Sequence, residues 1–126
     1  MPSTKTLVSI VDDDQSISRM LGRVLTAAGF QVVSFGSAEE FLDLEQPEES
    51  ACLILDMNLP GMSGINLQRH LNDAGRNIPI IFISADADEA AQQRALDAGA
   101  VAFLSKPFSV DALLEKLRSV AVLELI

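Results

Sequence analysis

The amino-acid sequence predicts an α/β fold, a single domain in which a five-stranded parallel sheet carries helices on both faces. Three observations predict it. Five short apolar runs punctuate the chain, segments of helical period separate them, and four of the five runs lead into polar residues. Apolar runs alternating with helical segments mark a parallel sheet buried on both sides, because each crossover lays a helix on one face or the other. A chain of 126 residues holds one core of this kind and is short for two, so residues 1–126 are expected to form one domain. With 48% hydrophobic and 21% charged residues the composition is that of a folding chain, far from the disordered class.

The strands are read as Thr6–Val11, Gln31–Phe35, Ala51–Leu55, Ile78–Ile83 and Val101–Leu104. The second is the most polar and therefore suits an edge. Between the first two, Ile17, Met20, Leu21, Val24, Leu25 and Ala28 recur at three and four residues, which predicts a helix burying that face, with Gly29 as its stop. Ser37 and Glu40 stand in capping-box spacing at the start of the second helix, and the third begins after Gly61-Met62-Ser63-Gly64. The fourth, roughly Asp88 to Ala98, is rich in alanine and poor in large apolar residues, so shallow packing and mobility are expected of it. The fifth follows Ser109 and sets Val110, Leu113, Leu114, Leu117 and Ala121 on one stripe.

Charge and cysteine content narrow the function classes. Eighteen acidic residues against 9 basic ones leave a net charge of −9, which disfavours direct binding to nucleic acid or to anionic membrane and favours cations and basic protein surfaces. The single cysteine, Cys52, excludes an internal disulfide and reads as a small core residue. No apolar signal segment opens the chain and no run is long enough to span a bilayer, so a cytoplasmic protein is the default expectation.

Ligands of open α/β sheets bind beyond the carboxyl ends of the strands, where the strand order reverses. Strand one runs into Asp12-Asp13-Asp14, strand three into Asp56, strand four into Ser84, and strand five into Ser105-Lys106-Pro107. In the borrowed order 2-1-3-4-5, strands one and three flank the reversal and Asp12 and Asp13 come beside Asp56. Carboxylates crowded in this way either take up protons or share a cation. Mg²⁺ fits, since it prefers oxygen ligands and is commonly held by one or two carboxylates plus a phosphate. A phosphoryl group arriving at Asp56 would then be stabilised by Mg²⁺ and Lys106. Each piece alone has an ordinary reading: Asp14 as a helix cap, Ser84 as a strand-end hydroxyl, Lys106 as a solvated cation. An EF-hand is a poor fit, because its glycine and distant glutamate are missing. The weight lies in convergence on one sheet edge.

Val11-Asp12-Asp13-Asp14, Leu55 to Gly64, Ile83-Ser84-Ala85 and Ser105-Lys106-Pro107-Phe108 together resemble the receiver domain of two-component response regulators, across essentially the whole chain. The resemblance implies a flavodoxin-like (βα)5 fold and a regulatory domain rather than an enzyme. It implies that Asp56 is the phosphoacceptor and that Asp12, Asp13, Asp56 and the backbone carbonyl of Asn58 hold Mg²⁺. It also implies that Ser84 is the switch hydroxyl, Lys106 its ion-pairing partner at the phosphoryl group, Phe103 the aromatic switch on strand five, and Pro107 the residue of a cis peptide bond. Asn58 and Asp86 match positions that modulate the lifetime of the phosphoryl group. The donor would be a sensor histidine kinase or a histidine phosphotransfer protein. The recipient of the signal would be a downstream effector domain or protein, since no second domain follows the fifth helix up to Ile126. A homodimer through the fourth helix, fifth strand and fifth helix is compatible with the resemblance. His70, the lone histidine, falls on the third helix away from the acidic edge and reads as a solvated residue.

Three other readings compete. An aspartyl-phosphate phosphatase also ends a strand in Asp-x-Asp, but Asn58 stands at the second position and the chain lacks length for a cap. A flavodoxin-like flavin carrier would need a Ser/Thr/Gly-rich phosphate loop after strand one, where carboxylates stand instead. A protein-interaction module that works without phosphorylation differs only in its chemistry.

Overall fold

The sheet runs in the order β2-β1-β3-β4-β5, all parallel, from β1 (Leu7–Val11), β2 (Gln31–Phe35), β3 (Cys52–Asp56), β4 (Ile80–Ser84) and β5 (Ala102–Ser105). The helices are α1 (Gln15–Ala27), α2 (Ala38–Leu44), α3 (Gly64–Asp73), α4 (Glu89–Asp97) and α5 (Val110–Leu125). The structure is a computed structural model and describes residues 6–44, 50–85 and 89–125. Asp86 and the Asp88 start expected for the fourth helix lie outside the described residues, and Ala121 lies beyond the described side chains.

Alternation along the strands splits the core in two, because successive side chains point to opposite faces. On one face Val11, Leu53, Leu55 and Phe82 pack with Phe41 of α2, Leu67 and Leu71 of α3 and Ala95 of α4. On the other, Val8, Ile10, Ile54, Ile81 and Ile83 pack with Leu21 and Leu25 of α1 and Leu113, Leu117 and Val120 of α5. The central strands β3 and β4 are buried throughout, which is why they read as unbroken apolar runs. Strand β2 lies at the edge with only Phe35 buried.

The expected elements are present, with local corrections that include later starts for β1 at Leu7, β3 at Cys52 and β4 at Ile80 than the apolar runs suggest. The strands extend past the last apolar residue: Asp56 pairs with Ile83 and Ser84 with Ser105, so the site residues are part of the ladder. The apolar stripe of α1 is narrower than its periodicity suggests, for Met20 is 38% exposed and Ala28 is exposed as well. Leu21 and Leu25 are its fully buried residues, and Ile17 packs beside them partly buried. Gly64 is the first residue of α3, with Ser63 as the cap. Finally, β5 begins at Ala102, leaving Val101 exposed.

Helix starts have local causes. Asp14 caps α1, its carboxylate accepting from Ser16 N and Ile17 N. The Ser63 hydroxyl accepts from Asn66 N at the start of α3, and the Ser37 hydroxyl accepts from Glu40 N at the start of α2. After α1, Gly29 adopts φ +99°, the left-handed conformation that ends a helix cheaply only in glycine. The shallow packing expected of α4 is observed, as Ala95 is its sole buried residue among those described.

Candidate functional site

Backbone hydrogen bonds past the strand ends set the site. Asp12 N donates to Phe35 O (3.1 Å), Met57 N to Ile83 O (2.9 Å) and Lys106 N to Ser84 O (2.7 Å), so each loop leaves the sheet in a fixed direction. Asp12, at the end of β1, and Asp56, at the end of β3, are neighbours across the β1–β3 pairing, and both are buried. Asp13 is exposed beside them. One carboxylate oxygen from each of Asp12, Asp13 and Asp56 lies within 4.8 Å of the other two.

From the far side of β4, β5 brings in Lys106. Its ammonium donates to Asp12 Oδ2 at 3.2 Å and to Asp56 Oδ2 at 3.5 Å. Burial pushes the Asp12 carboxyl above its ordinary range and the Asp56 charge adds to that, against the pull of the Asp14 N–H and the Lys106 ammonium. Burial draws Lys106 down, but the charges of Asp12 and Asp56 and their hydrogen bonds outweigh it, and its pKa is raised. Three carboxylates thus gather where one ammonium pairs with two of them. The remaining negative charge, presented on oxygen alone with no nitrogen or sulfur donor, fits a hard divalent cation.

The loop from β3 to α3 is held tightly against the site. The Asn58 backbone N–H donates to Asp56 Oδ1 (3.0 Å), and the Asn58 side-chain amide donates to the Ser84 hydroxyl (2.8 Å). Gly64 lies against the backbone of the phosphoacceptor candidate: a Cβ there would sit 2.5 Å from Asp56 O and 2.9 Å from Met57 Cα. Across the loop, Glu39 of α2 accepts from Met62 N at 3.0 Å, and this hydrogen bond holds the Glu39 carboxyl below its usual range.

Ser84 is fully buried at the end of β4, and Phe103 is half-buried on β5 with its ring 6.5 Å from that of Phe82. The Lys106–Pro107 peptide bond is cis. His70 is exposed on α3, and Cys52 is buried on β3. Beside the site, an open cleft of about 470 Å³ between α1 and the β2–α2 turn is lined by Gln15, Ser18, Arg19, Gly36 and Glu40; it reaches Asp12 but not Asp56.

Three contacts were not foreseen from the sequence. The direct pairing of Lys106 with Asp12 spans 94 positions, the Asn58–Ser84 bond spans 26, and the Glu39–Met62 bond spans 23. Only the strand order brings these pairs together, and no local pattern marks them.

Known proteins share the arrangement. Among the described residues no helix is long and apolar enough to cross a membrane. The family described as response regulator receiver domain matches residues 8–118. Nodulation protein W of Bradyrhizobium diazoefficiens is 45% identical over 113 residues, 90% of this chain and 50% of that protein. The response regulator protein TodT of Pseudomonas putida is 39% identical over 119 residues, 94% of this chain and 52% of its own length. The chain therefore spans about half the length of these curated relatives. Among solved structures, FixJ-N superposes with a TM-score of 0.84 at 36% identity, covering 94% of both chains. The response regulator StyR superposes with a TM-score of 0.85 at 46% identity, covering 92% of this chain and 59% of that one. Such domains are regulatory modules that accept a phosphoryl group in two-component signalling, and this chain belongs to the response regulator receiver domain family.

Proposed function

We propose that Asp56 is the phosphoacceptor of this receiver, that Asp12, Asp13, Asp56 and the carbonyl of Asn58 hold Mg²⁺, and that all 126 residues act as one receiver unit. The observation that carries the reading is the gathering of three carboxylates within 4.8 Å, with a lysine ammonium 3.2 Å from Asp12 and 3.5 Å from Asp56. In the reaction, a carboxylate oxygen of Asp56 bonds to phosphorus as the phosphorus–nitrogen bond of a phosphohistidine breaks, and the imidazole leaves with the bonding electron pair. The cation, when bound, offsets negative charge on the transferring oxygens. Lys106 would do the same, exchanging its contact with Asp56 for a phosphoryl oxygen. Buried walls around Asp12 and Asp56 strengthen each of these interactions by lowering the local dielectric.

The donor is a sensor histidine kinase or histidine phosphotransfer protein in the cytoplasm, and the recipient of the signal is an effector domain or protein outside residues 1–126. Ser84 and Phe103 relay the phosphoryl charge to α4, β5 and α5. Support comes from their placement: Ser84 is the last residue of β4, Phe103 pairs with Phe82 on the neighbouring strand, and α4 buries little to hold it in place. Asn58 and Asp86 govern how long the phosphoryl group survives.

The test is chemical trapping. After incubation with acetyl phosphate and Mg²⁺, borohydride reduction of an aspartyl phosphate converts Asp56 to homoserine, and peptide mass mapping places the change. A change at Asp56 alone supports the assignment. Modification at Asp12 or Asp13, or at no aspartate, contradicts it.

A further inference from the structure

We propose that the side-chain amide of Asn58 is a latch that holds the Ser84 hydroxyl in the unphosphorylated protein, and that a phosphoryl group on Asp56 opens it. The inference rests on Asp56 being the phosphoacceptor. The Asn58 Nδ2–Ser84 Oγ bond is short, 2.8 Å, and it joins an exposed loop residue to a fully buried hydroxyl at the end of β4. The same Asn58 gives its backbone N–H to Asp56 Oδ1 at 3.0 Å. One residue thus touches both Asp56 and the Ser84 hydroxyl.

The chemistry sets the direction of the effect. A hydroxyl that accepts from Asn58 has one lone pair committed, and its rotation about Cα–Cβ is restricted to the rotamer that meets the amide. A phosphoryl group carries about −1.5 to −2 charge and three strong acceptor oxygens. It draws the Ser84 O–H, and a hydrogen bond from that hydroxyl to a phosphoryl oxygen is roughly twice as strong as the neutral amide–hydroxyl bond that its rotation gives up. The latch therefore opposes the phosphorylated arrangement by the worth of one neutral hydrogen bond. Asn58 acts through Ser84, as a positioning residue.

The experiment uses beryllofluoride, a tetrahedral mimic of the phosphoryl group, titrated calorimetrically at saturating Mg²⁺ into the full chain, Asn58→Ala, Ser84→Ala and the double variant. Asn58→Ala is expected to bind beryllofluoride about fivefold more tightly than the wild type, the equivalent of about 1 kcal/mol. In the Ser84→Ala background the same substitution is expected to change affinity by less than about twofold, as a double-mutant cycle requires of a pairwise contact. A second readout needs no variant: the Asn58 side-chain amide resonances of the wild type should shift on saturation with beryllofluoride. Equal or weaker binding by Asn58→Ala, an equal effect with and without the Ser84 hydroxyl, or amide resonances that do not move would each overturn the latch. A wild-type protein that binds no beryllofluoride and forms no aspartyl phosphate removes the phosphoacceptor reading itself, and the latch with it.

Discussion

Lys106 stands 3.2 Å from Asp12 and 3.5 Å from Asp56, and those two charges raise its pKa above the ordinary 10.5 despite burial. A lysine whose folded pKa is raised contributes stability that is fully present below its unfolded value and is lost as pH rises through the folded one. The stability difference between wild type and Lys106→Ala, read by urea unfolding, is therefore expected to be flat from about pH 7 to 9 and to shrink only above about pH 10.5. The same variant should still take up some phosphoryl group while losing the coupled change at α4, β5 and α5, read as amide chemical shifts with and without phosphorylation. Full coupling in Lys106→Ala would contradict that role. Glu39 has the opposite sign. Its pKa is lowered by the Met62 N–H, so its contribution is present above the ordinary carboxyl value and fades as pH falls through the lower, folded one. Glu39→Gln keeps an acceptor for Met62 N but cannot titrate, and its stability is expected to vary less than that of wild type between about pH 5 and 3. Identical acid limbs in the two proteins would show that the bond does not act on stability.

At the scale of elements, the β3–α3 connection is the most constrained piece of backbone near the site. Gly64 opens α3 where a Cβ would fall 2.5 Å from the Asp56 carbonyl oxygen, a backbone atom that cannot step aside without moving Asp56. Gly64→Ala should cost about 1–3 kcal/mol of stability, as overpacking does, and also slow phosphoryl uptake, because the relief of the clash displaces Asp56. A stable variant with normal uptake would show the approach to be looser than the geometry states. The strands and helices were legible in the sequence because both signals are local: apolar runs for β3 and β4, a three-and-four repeat for α1. The limits of that reading are physical too. It stopped β3 at Leu55 and β4 at Ile83, whereas ladder hydrogen bonds are made by backbone and carry on through Asp56 and Ser84 whatever their side chains. It also assigned Met20 and Ala28 to the buried face of α1, although a helix lying on a twisted sheet covers only the width that Leu21 and Leu25 fill.

For the whole molecule, one edge of the sheet gathers the candidate site residues. Asp12, Asp13, Asp56, Ser84 and Lys106 were legible as candidates because each follows or ends an apolar run, and a parallel sheet sends all such ends to the same side. The contacts among them were not. Lys106 meets Asp12 from 94 positions away, and nothing near either residue encodes the other. Transmission to a partner surface is an energetic question at this scale: a shift from 1:99 to 99:1 takes roughly 5.5 kcal/mol of differential stabilisation. Each fully buried leucine is worth about 1.5–3 kcal/mol relative to exposure, whereas α4 has one buried alanine, a partly buried Ala91 and a hydrogen bond from Gln68 to Ala95 O, which makes it the helix that we expect such a sum to move.

The most direct measurement is intact-mass spectrometry of the chain after incubation with acetyl phosphate, with Mg²⁺ or with chelator, on the wild type and on Asp56→Asn. A single phosphoryl adduct on the wild type that disappears with chelator and is absent from Asp56→Asn is the predicted result. An unmodified wild type, or an adduct that persists in Asp56→Asn or in chelator, would contradict the assignment of Asp56 as a Mg²⁺-dependent phosphoacceptor.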